Sequence, residues 1–181
     1  MIYSTKELIN KGETEYSIRK KINSGALYLI ERGIYSDKAN ECFKSEEFIS
    51  KKYPEAVFTG ISAFSLYDLT DYIPEQYHLA SLQHSFPIRR KDIKQSYQDP
   101  SFFNVGVTNL KTDDGFVKTY DLERLLIELF RLKEKYPREI YYEVLESFRK
   151  IKDTLDFYKV NSYLKSFSNG KNLLLKIKES I

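Results

Sequence analysis

Residues Tyr53–Leu82, YPEAVFTGISAFSLYDLTDYIPEQYHLASL, decide how the rest of the chain is read. A short apolar run, Ala56–Phe58, leads into a Thr59-Gly60 turn. Ser62 is a good N-cap type, because its hydroxyl can accept an orphan helix-end amide, so a compact helix is expected to begin there. Ala63, Leu66, Tyr67 and Leu69 give that helix one apolar side at helical spacing. Pro74 stops any continuation, since it lacks a donor and restricts the residue before it. Beyond it Tyr77, Leu79 and Ser81 alternate with His78, Ala80 and Leu82, the pattern of a half-buried strand. Strand, helix and strand in so short a span predict a rigid platform for the flanking segments.

Upstream, Ser4-Thr5-Lys6-Glu7 spells a capping box, with Gly12 as the stop of the first helix. Thr14 caps a second helix that runs to about Ser24, and Gly25 ends it. Tyr16, Arg19, Lys20 and Asn23 fall at i, i+3, i+4 and i+7 and share a face, while Ile18 and Ile22 point to a core. Leu27–Ile30 and Ile34–Ser36 form a hairpin with Arg32 at its tip, and Ile2-Tyr3 adds a third strand. Two helices joined by a tight turn, then a hairpin, predict a winged helix-turn-helix over residues 1–40 that binds duplex DNA. Tyr16, Ser17, Arg19, Lys20, Asn23 and Arg32 are its candidate contacts. The competing reading is a protein-binding module with ordinary surface charge.

Residues 41–181 make the second expected domain. Asp37–Glu41 reads as a polar linker, and Phe43, Phe48, Ile49 and Tyr53 as a helix entering the platform. His84–Gln98 carries a basic cluster, Arg89, Arg90, Lys91 and Lys94. It reads either as a solvated loop or helix face, or as a second patch that attracts phosphates without reading sequence. Phe102–Val107 and Phe116–Tyr120 look strand-like, with the turn at Thr112–Gly115 between them. Four helices follow, with apolar arcs Leu125/Leu126/Leu129/Leu132, Ile140/Val144/Phe148/Ile151, Phe157/Val160/Leu164/Phe167 and Leu173/Leu174/Ile177/Ile181. Pro137 and Gly170 punctuate them. The expected architecture is α+β: winged helix, a mixed sheet with packed helices, and a C-terminal helical group. Arg124, Glu128 and Arg131 line one stripe of the first C-terminal helix. If that stripe packs on the sheet, the charges must pair, and they fix orientation more than they add stability.

Composition narrows the functional classes. Hydrophobic residues make up 41% of the chain and aromatics 15%, which is enough for a core and excludes wholesale disorder. No apolar run approaches the ~20 residues of a membrane-spanning helix, and no secretory h-region opens the sequence. Cys42 is the single cysteine, so no internal disulfide is expected, in keeping with a cytoplasmic protein. The net charge is only +3, so any nucleic-acid affinity must come from local clustering.

Chemistry is hard to find. No phosphate-binding loop or nucleophile elbow occurs, and His78 and His84 do not make a zinc site without further ligands. A nucleotidyltransferase would place a glycine turn and helix before paired carboxylates that hold metal ions. Gly60 and Asp71 are at suitable spacing, but the second acid position is Ile73, and Tyr77–Leu82 has no carboxylate. A non-enzymatic protein is expected, with no catalytic residue, metal or cofactor.

The segment YPEAVFTGISAFSLYDLTDYIP resembles the core signature of AbiEi-type antitoxins, the DNA-binding halves of type IV toxin–antitoxin pairs. TYDLERLLIELFR at Thr119–Arg131, and KELINKG…YSIRKKINSGALYLIERGIYS near the start, resemble two further motifs of that family in the same order. The family's usual E-R-T-L-x-D pattern is altered here, with Leu125 for the threonine and Glu128 for the aspartate. A winged helix also normally has a helix before its first strand; here nothing precedes Met1, and Ser45–Lys52 is expected to take over its packing role. The resemblance implies repression of the protein's own operon by binding operator DNA, and neutralisation of a nucleotidyltransferase-like toxin that is not always bound directly. It implies that the C-terminal domain carries the antitoxin activity. A reader with three or four basic contacts binds DNA non-specifically with a Kd of roughly 10⁻⁴–10⁻⁶ M, so cooperative self-association on repeated half-sites is expected. The alternative is a stand-alone winged-helix transcriptional regulator with a sensing C-terminal domain.

Overall fold

The computed structural model of the protein describes residues 1–39, 45–113, 115–167 and 169–181. The expected domain boundary after residue 40, the linker residues Asn40 and Glu41, Cys42, Phe43 and the Asp114 position of the turn lie outside the described residues. The fold is α+β, in two compact units. One comprises Met1–Glu55 with Leu110–Val117, the other Ala56–Asn109 with Lys118–Ile181.

The first unit contains β1 (Ile2–Ser4), α1 (Thr5–Asn10), α2 (Glu15–Asn23), β2 (Tyr28–Glu31), β3 (Ile34–Ser36) and α3 (Glu46–Lys52). The Ser4 hydroxyl accepts from the Glu7 N–H while the Glu7 carboxylate accepts from the Ser4 N–H, satisfying two orphan donors at once. Thr14 makes the same reciprocal arrangement with Ser17. The three strands form an antiparallel sheet in the order β1-β3-β2, so Ile2-Tyr3 does supply a third strand. Leu8, Ile18 and Leu27 are its core, with Tyr3, Ile22 and Tyr35 against them. As expected of residues 45–52, α3 packs on β1 and β3. Its Phe48 and Ile49 are fully buried, and ion pairs Lys51–Glu7 and Lys52–Glu31 tie it to α1 and β2.

The second unit holds β4 (Val57–Phe58), α4 (Gly60–Leu66), β5 (Tyr77–Leu82), β6 (Ile93–Gln98), α5 (Pro100–Phe103), β7 (Val107–Lys111), β8 (Phe116–Tyr120), α6 (Leu122–Arg131), α7 (Arg138–Lys150), α8 (Phe157–Leu164) and α9 (Gly170–Ser180). The residues Leu110–Val117 of the β7–β8 pair belong to the first unit. The five strands run in the order β6-β5-β4-β8-β7. β4 is antiparallel to β5 and parallel to β8, and β5 is parallel to β6, so the sheet is mixed. The core gathers Val57, Phe64 and Ala80 with Leu125, Leu126 and Leu129 of α6, Val144 and Phe148 of α7, Val160 of α8 and Ile177 of α9.

Five local expectations are corrected. The platform helix starts at Gly60, with Thr59 at the N-cap and no side-chain cap. The Ser62 hydroxyl instead accepts from the His78 N–H at 2.8 Å. That helix is buried from Gly60 to Phe64 rather than on one side and ends at Leu66, just before Asp68, whose φ is +54°, a conformation Asp tolerates better than most residues. Strand β5 is buried at three successive residues, Leu79, Ala80 and Ser81, because it lies between β4 and β6 and packs against α4 and α5. The stretch expected to be a strand from Phe102 becomes one only at Val107: the Asp99 side chain accepts from the Ser101 N–H, Pro100 sits in the first turn, and α5 forms in place of extended chain. Finally, Ile93–Gln98 is an edge strand and neither loop nor helix face, with exposed Lys94 on it, a residue type that discourages further strand addition.

One polar group organises this unit. Arg124 and Glu128, one turn apart on α6, are both 0% exposed. The Arg124 Nη2 donates to Glu128 Oε1 at 2.9 Å, and its Nη1 donates to the Phe102 carbonyl at 2.7 Å. The other carboxylate oxygen, Oε2, accepts from the Thr59 hydroxyl at 2.6 Å. The guanidinium lies 4.7 Å from the Tyr120 ring centroid and 5.0 Å from that of Phe167, within range of a cation–π attraction. Gly106 has φ +76°, and a Cβ there would lie 2.6 Å from the Arg124 Cβ. The turn before β7 therefore needs glycine both for its backbone and for the arginine beside it.

Arg124→Ala removes the closer of two cations from the buried Glu128 carboxylate, leaving only Arg131 at 3.5 Å, and is expected to cost about 3–5 kcal/mol. The double variant Arg124→Met/Glu128→Met should lose much less than the sum of the two single changes. Urea unfolding of the three variants checks both statements; additive losses would show that the pair is not coupled.

Candidate functional site

The outward face of α2 is built as the helical spacing requires. Ile18 is buried, whereas Tyr16, Arg19, Lys20 and Asn23 are exposed, Tyr16 at 78%. Ser17 is partly buried; its hydroxyl accepts from the Thr14 N–H and donates to Glu13 at 2.6 Å, so it is spent on the helix start. Arg32 is exposed in the β2–β3 turn. Arg19 and Arg32 line one groove of about 360 Å³ that also takes in Glu15 and Tyr35. Lys21, Lys51 and Lys52 are each tied to a carboxylate. Arg19, Lys20 and Arg32 make no ion pair among the described residues. The structure thus brings Arg19 and Arg32 together and leaves their charge available.

The second basic cluster belongs to the other unit. Arg89 and Lys91 are exposed in the loop before β6, but Arg90 is clamped by Asp92, with Nε to Oδ1 at 2.8 Å. Its charge is largely cancelled locally, so the cluster offers fewer free cations than its sequence promises. Asp71 and Ile73 are exposed beyond α4, Ile73 at 83%. The Asp71 N–H donates to Glu143 at 2.8 Å. Among the described residues no group of three His, Cys, Asp or Glu side chains comes together to hold a metal.

A site the sequence did not reveal lies in the second unit, where the ends of β4, β5, β6 and α6 meet. Thr59, Gly60, His78, Lys94, Arg131 and Tyr136 are among the residues around a cavity of about 150 Å³, and Lys135 also lines it. Gly60 has φ +54°, and a Cβ on it would sit 3.2 Å from His78 Nδ1 and 3.6 Å from the Tyr136 hydroxyl; glycine keeps this corner open. The Tyr136 hydroxyl and the Arg131 Nε are buried and have no hydrogen-bond partner among the described residues. Arg131 is otherwise engaged through Nη2, 3.4 Å from Gln98 Oε1 and 3.5 Å from Glu128 Oε1. Burial, and then the nearby Lys94 ammonium, push the His78 imidazolium down to about 4. Burial likewise raises the Tyr136 phenol, with a further push from the Glu128 charge, so at neutral pH the histidine is uncharged and the tyrosine keeps its proton. These residues are scattered along the chain, and no local motif would have joined them.

No family model matches this chain, and no curated protein matches it. Among solved structures it is similar to the RV2827C protein from Mycobacterium tuberculosis, with a TM-score of 0.55 and 10% identity over 98% of this chain and 72% of that one. That likeness is one of fold.

Because the folded state lowers the His78 pKa from 6.5 to about 4, the unfolded chain binds more protons between those values. Stability therefore rises with pH across that window: the contribution is fully present above pH 6.5 and is lost as pH falls towards 4. His78→Gln should flatten this part of the stability profile. Urea midpoints measured across the window for both proteins check it; parallel profiles would show that His78 titrates as it does in the unfolded chain.

Proposed function

We propose that this chain is an AbiEi-like antitoxin. The first unit acts as a winged-helix reader of duplex operator DNA that represses its own operon. The second unit counters a nucleotidyltransferase-like toxin. The observation that carries the DNA reading is the set of exposed cations Arg19, Lys20 and Arg32 on α2 and the β2–β3 turn, unpaired among the described residues, whereas Lys21, Lys51 and Lys52 are each neutralised by a neighbouring acid. Free Arg and Lys on one helix face attract phosphates, and an exposed Asn23 beside them can read a base edge. Tyr16 adds a hydrogen-bonding, flat surface on the same face. The α3 packing on β1 and β3 supports the same reading, since it gives the short helix pair and hairpin the backing that such a reader needs. With so few contacts, specificity on this reading comes from two copies on repeated half-sites, the second binding at high effective concentration.

A cytoplasmic protein is the setting this function requires; no helix among the described residues is long and apolar enough to cross a membrane. The second reading, a stand-alone regulator whose second unit senses a ligand, draws on the polar cavity lined by His78, Lys94 and Tyr136.

Replacing Arg19 and Lys20 by alanine should weaken operator binding by up to a few kcal/mol and reduce the slope of log K against log salt by about 2. Fluorescence anisotropy with labelled operator at several salt concentrations measures both; unchanged affinity and slope would remove α2 from the interface. The same variant, produced together with its toxin, should still rescue growth, because DNA reading and toxin control lie in different units. A folded variant that fails to rescue would contradict that division, and wild type that rescues no adjacent nucleotidyltransferase-like partner would favour the lone regulator.

A further inference from the structure

A buried donor left without an acceptor is destabilising, and the second unit carries two beside one cavity. The Tyr136 O–H and the Arg131 Nε–H are both buried and unpartnered among the described residues. Lys94 and Lys135, which make no ion pair among the described residues, line the same space. The Glu128 carboxylate is already matched by Arg124 at 2.9 Å, by the Thr59 hydroxyl at 2.6 Å and by the Arg131 Nη2 at 3.5 Å. It is a poor acceptor for further donors, so the surplus in the cavity is of donors and positive charge.

We infer that this cavity is a binding site for a single phosphate group, free or as the end of a small phosphomonoester. The donors come from separate elements, β6, α6 and the turn after it, and so converge from different directions. A tetrahedral oxyanion with several charged oxygens answers such a set, whereas a planar carboxylate presents only two oxygens. A volume of about 150 Å³ is large enough for a phosphate and is well below the ~300–1,000 Å³ of sites that enclose a whole drug-sized ligand. The remainder of an ester would therefore lie outside the mouth. Gly60 takes part by absence: any side chain there would enter the corner between His78 Nδ1 and the Tyr136 hydroxyl. This site goes beyond the antitoxin reading and does not depend on it.

The test uses the full chain, titrated by calorimetry with inorganic phosphate and separately with AMP, at constant ionic strength maintained with chloride. Saturable binding with a Kd of about 1 mM or below is expected for at least one of them. Equal affinity for both identifies free phosphate as the ligand, and a gain of about tenfold or more for AMP identifies the ester. Tyr136→Phe removes the unpartnered hydroxyl and nothing else. It should melt at or above the wild-type temperature in phosphate-free buffer, yet bind about tenfold or more weakly. Lys135→Met should also weaken binding, by a similar factor. Wild type with no saturable binding of either probe overturns the inference, as does either variant binding with wild-type affinity. A Tyr136→Phe protein that melts lower without phosphate also overturns it, since the hydroxyl would then have an internal partner.

Discussion

The second unit depends on a charge that could not be placed in a core alone. Arg124 is fully buried, and the groups that make its burial tolerable come from its own helix and from three other segments. Glu128 of the same helix balances its charge, the Phe102 carbonyl accepts from it, and the Tyr120 and Phe167 rings flank its plane. A leucine in its place would satisfy itself with any apolar neighbour. An arginine demands one arrangement, because each misplaced partner leaves a buried polar group unmet. The cation thereby selects which way α6 faces, and the apolar arc on its other sides then finds the sheet and the C-terminal helices.

The first unit uses charge in the opposite way. It packs Leu8, Ile18 and Leu27 into one small cluster, and on its surface Lys21, Lys51 and Lys52 are paired while Arg19, Lys20 and Arg32 make no ion pair among the described residues. Surface ion pairs contribute at most about 1 kcal/mol each, so the pairing matters less for stability than for where net charge is left. A chain with a net charge of only +3 can still present a localised positive face if its acids are spent elsewhere.

Signals contained within one turn of chain were legible. The Ser4 box and the Thr14 cap bring partners three residues apart together, and both helices begin where those residues place them. The Arg124–Glu128 spacing was equally plain, and burial of the stripe settled its meaning. Competing local signals were harder: at Phe102 the strand preference of aromatics was outweighed by Asp99 and Pro100, which start a helix just before it. Strand β6 reads as polar because only Ile93 and Gln98 of it are buried, and an edge position, set by the rest of the sheet, is what makes such a sequence extended. Thr59 was the subtlest case. Its hydroxyl goes to Glu128, far along the chain, so α4 begins without the side-chain cap that the sequence offers at Ser62. The cavity around Tyr136 was invisible for the same reason, since its walls come from segments that only the sheet topology brings together.

The two-residue strand β4 has a consequence for how the molecule assembles. It alone joins the β5–β6 pair to the β8–β7 pair, and its junction with β8 rests on Phe58 opposite Thr119, where the Thr119 hydroxyl donates to the Phe58 carbonyl at 3.2 Å across 61 residues of chain. The flanking pairs are nearly local and can form early, whereas this seam must wait for a long loop to close. The five-stranded sheet is therefore two quickly made halves stitched by one late, narrow join, and its folding speed should follow the rate at which that stitch is made.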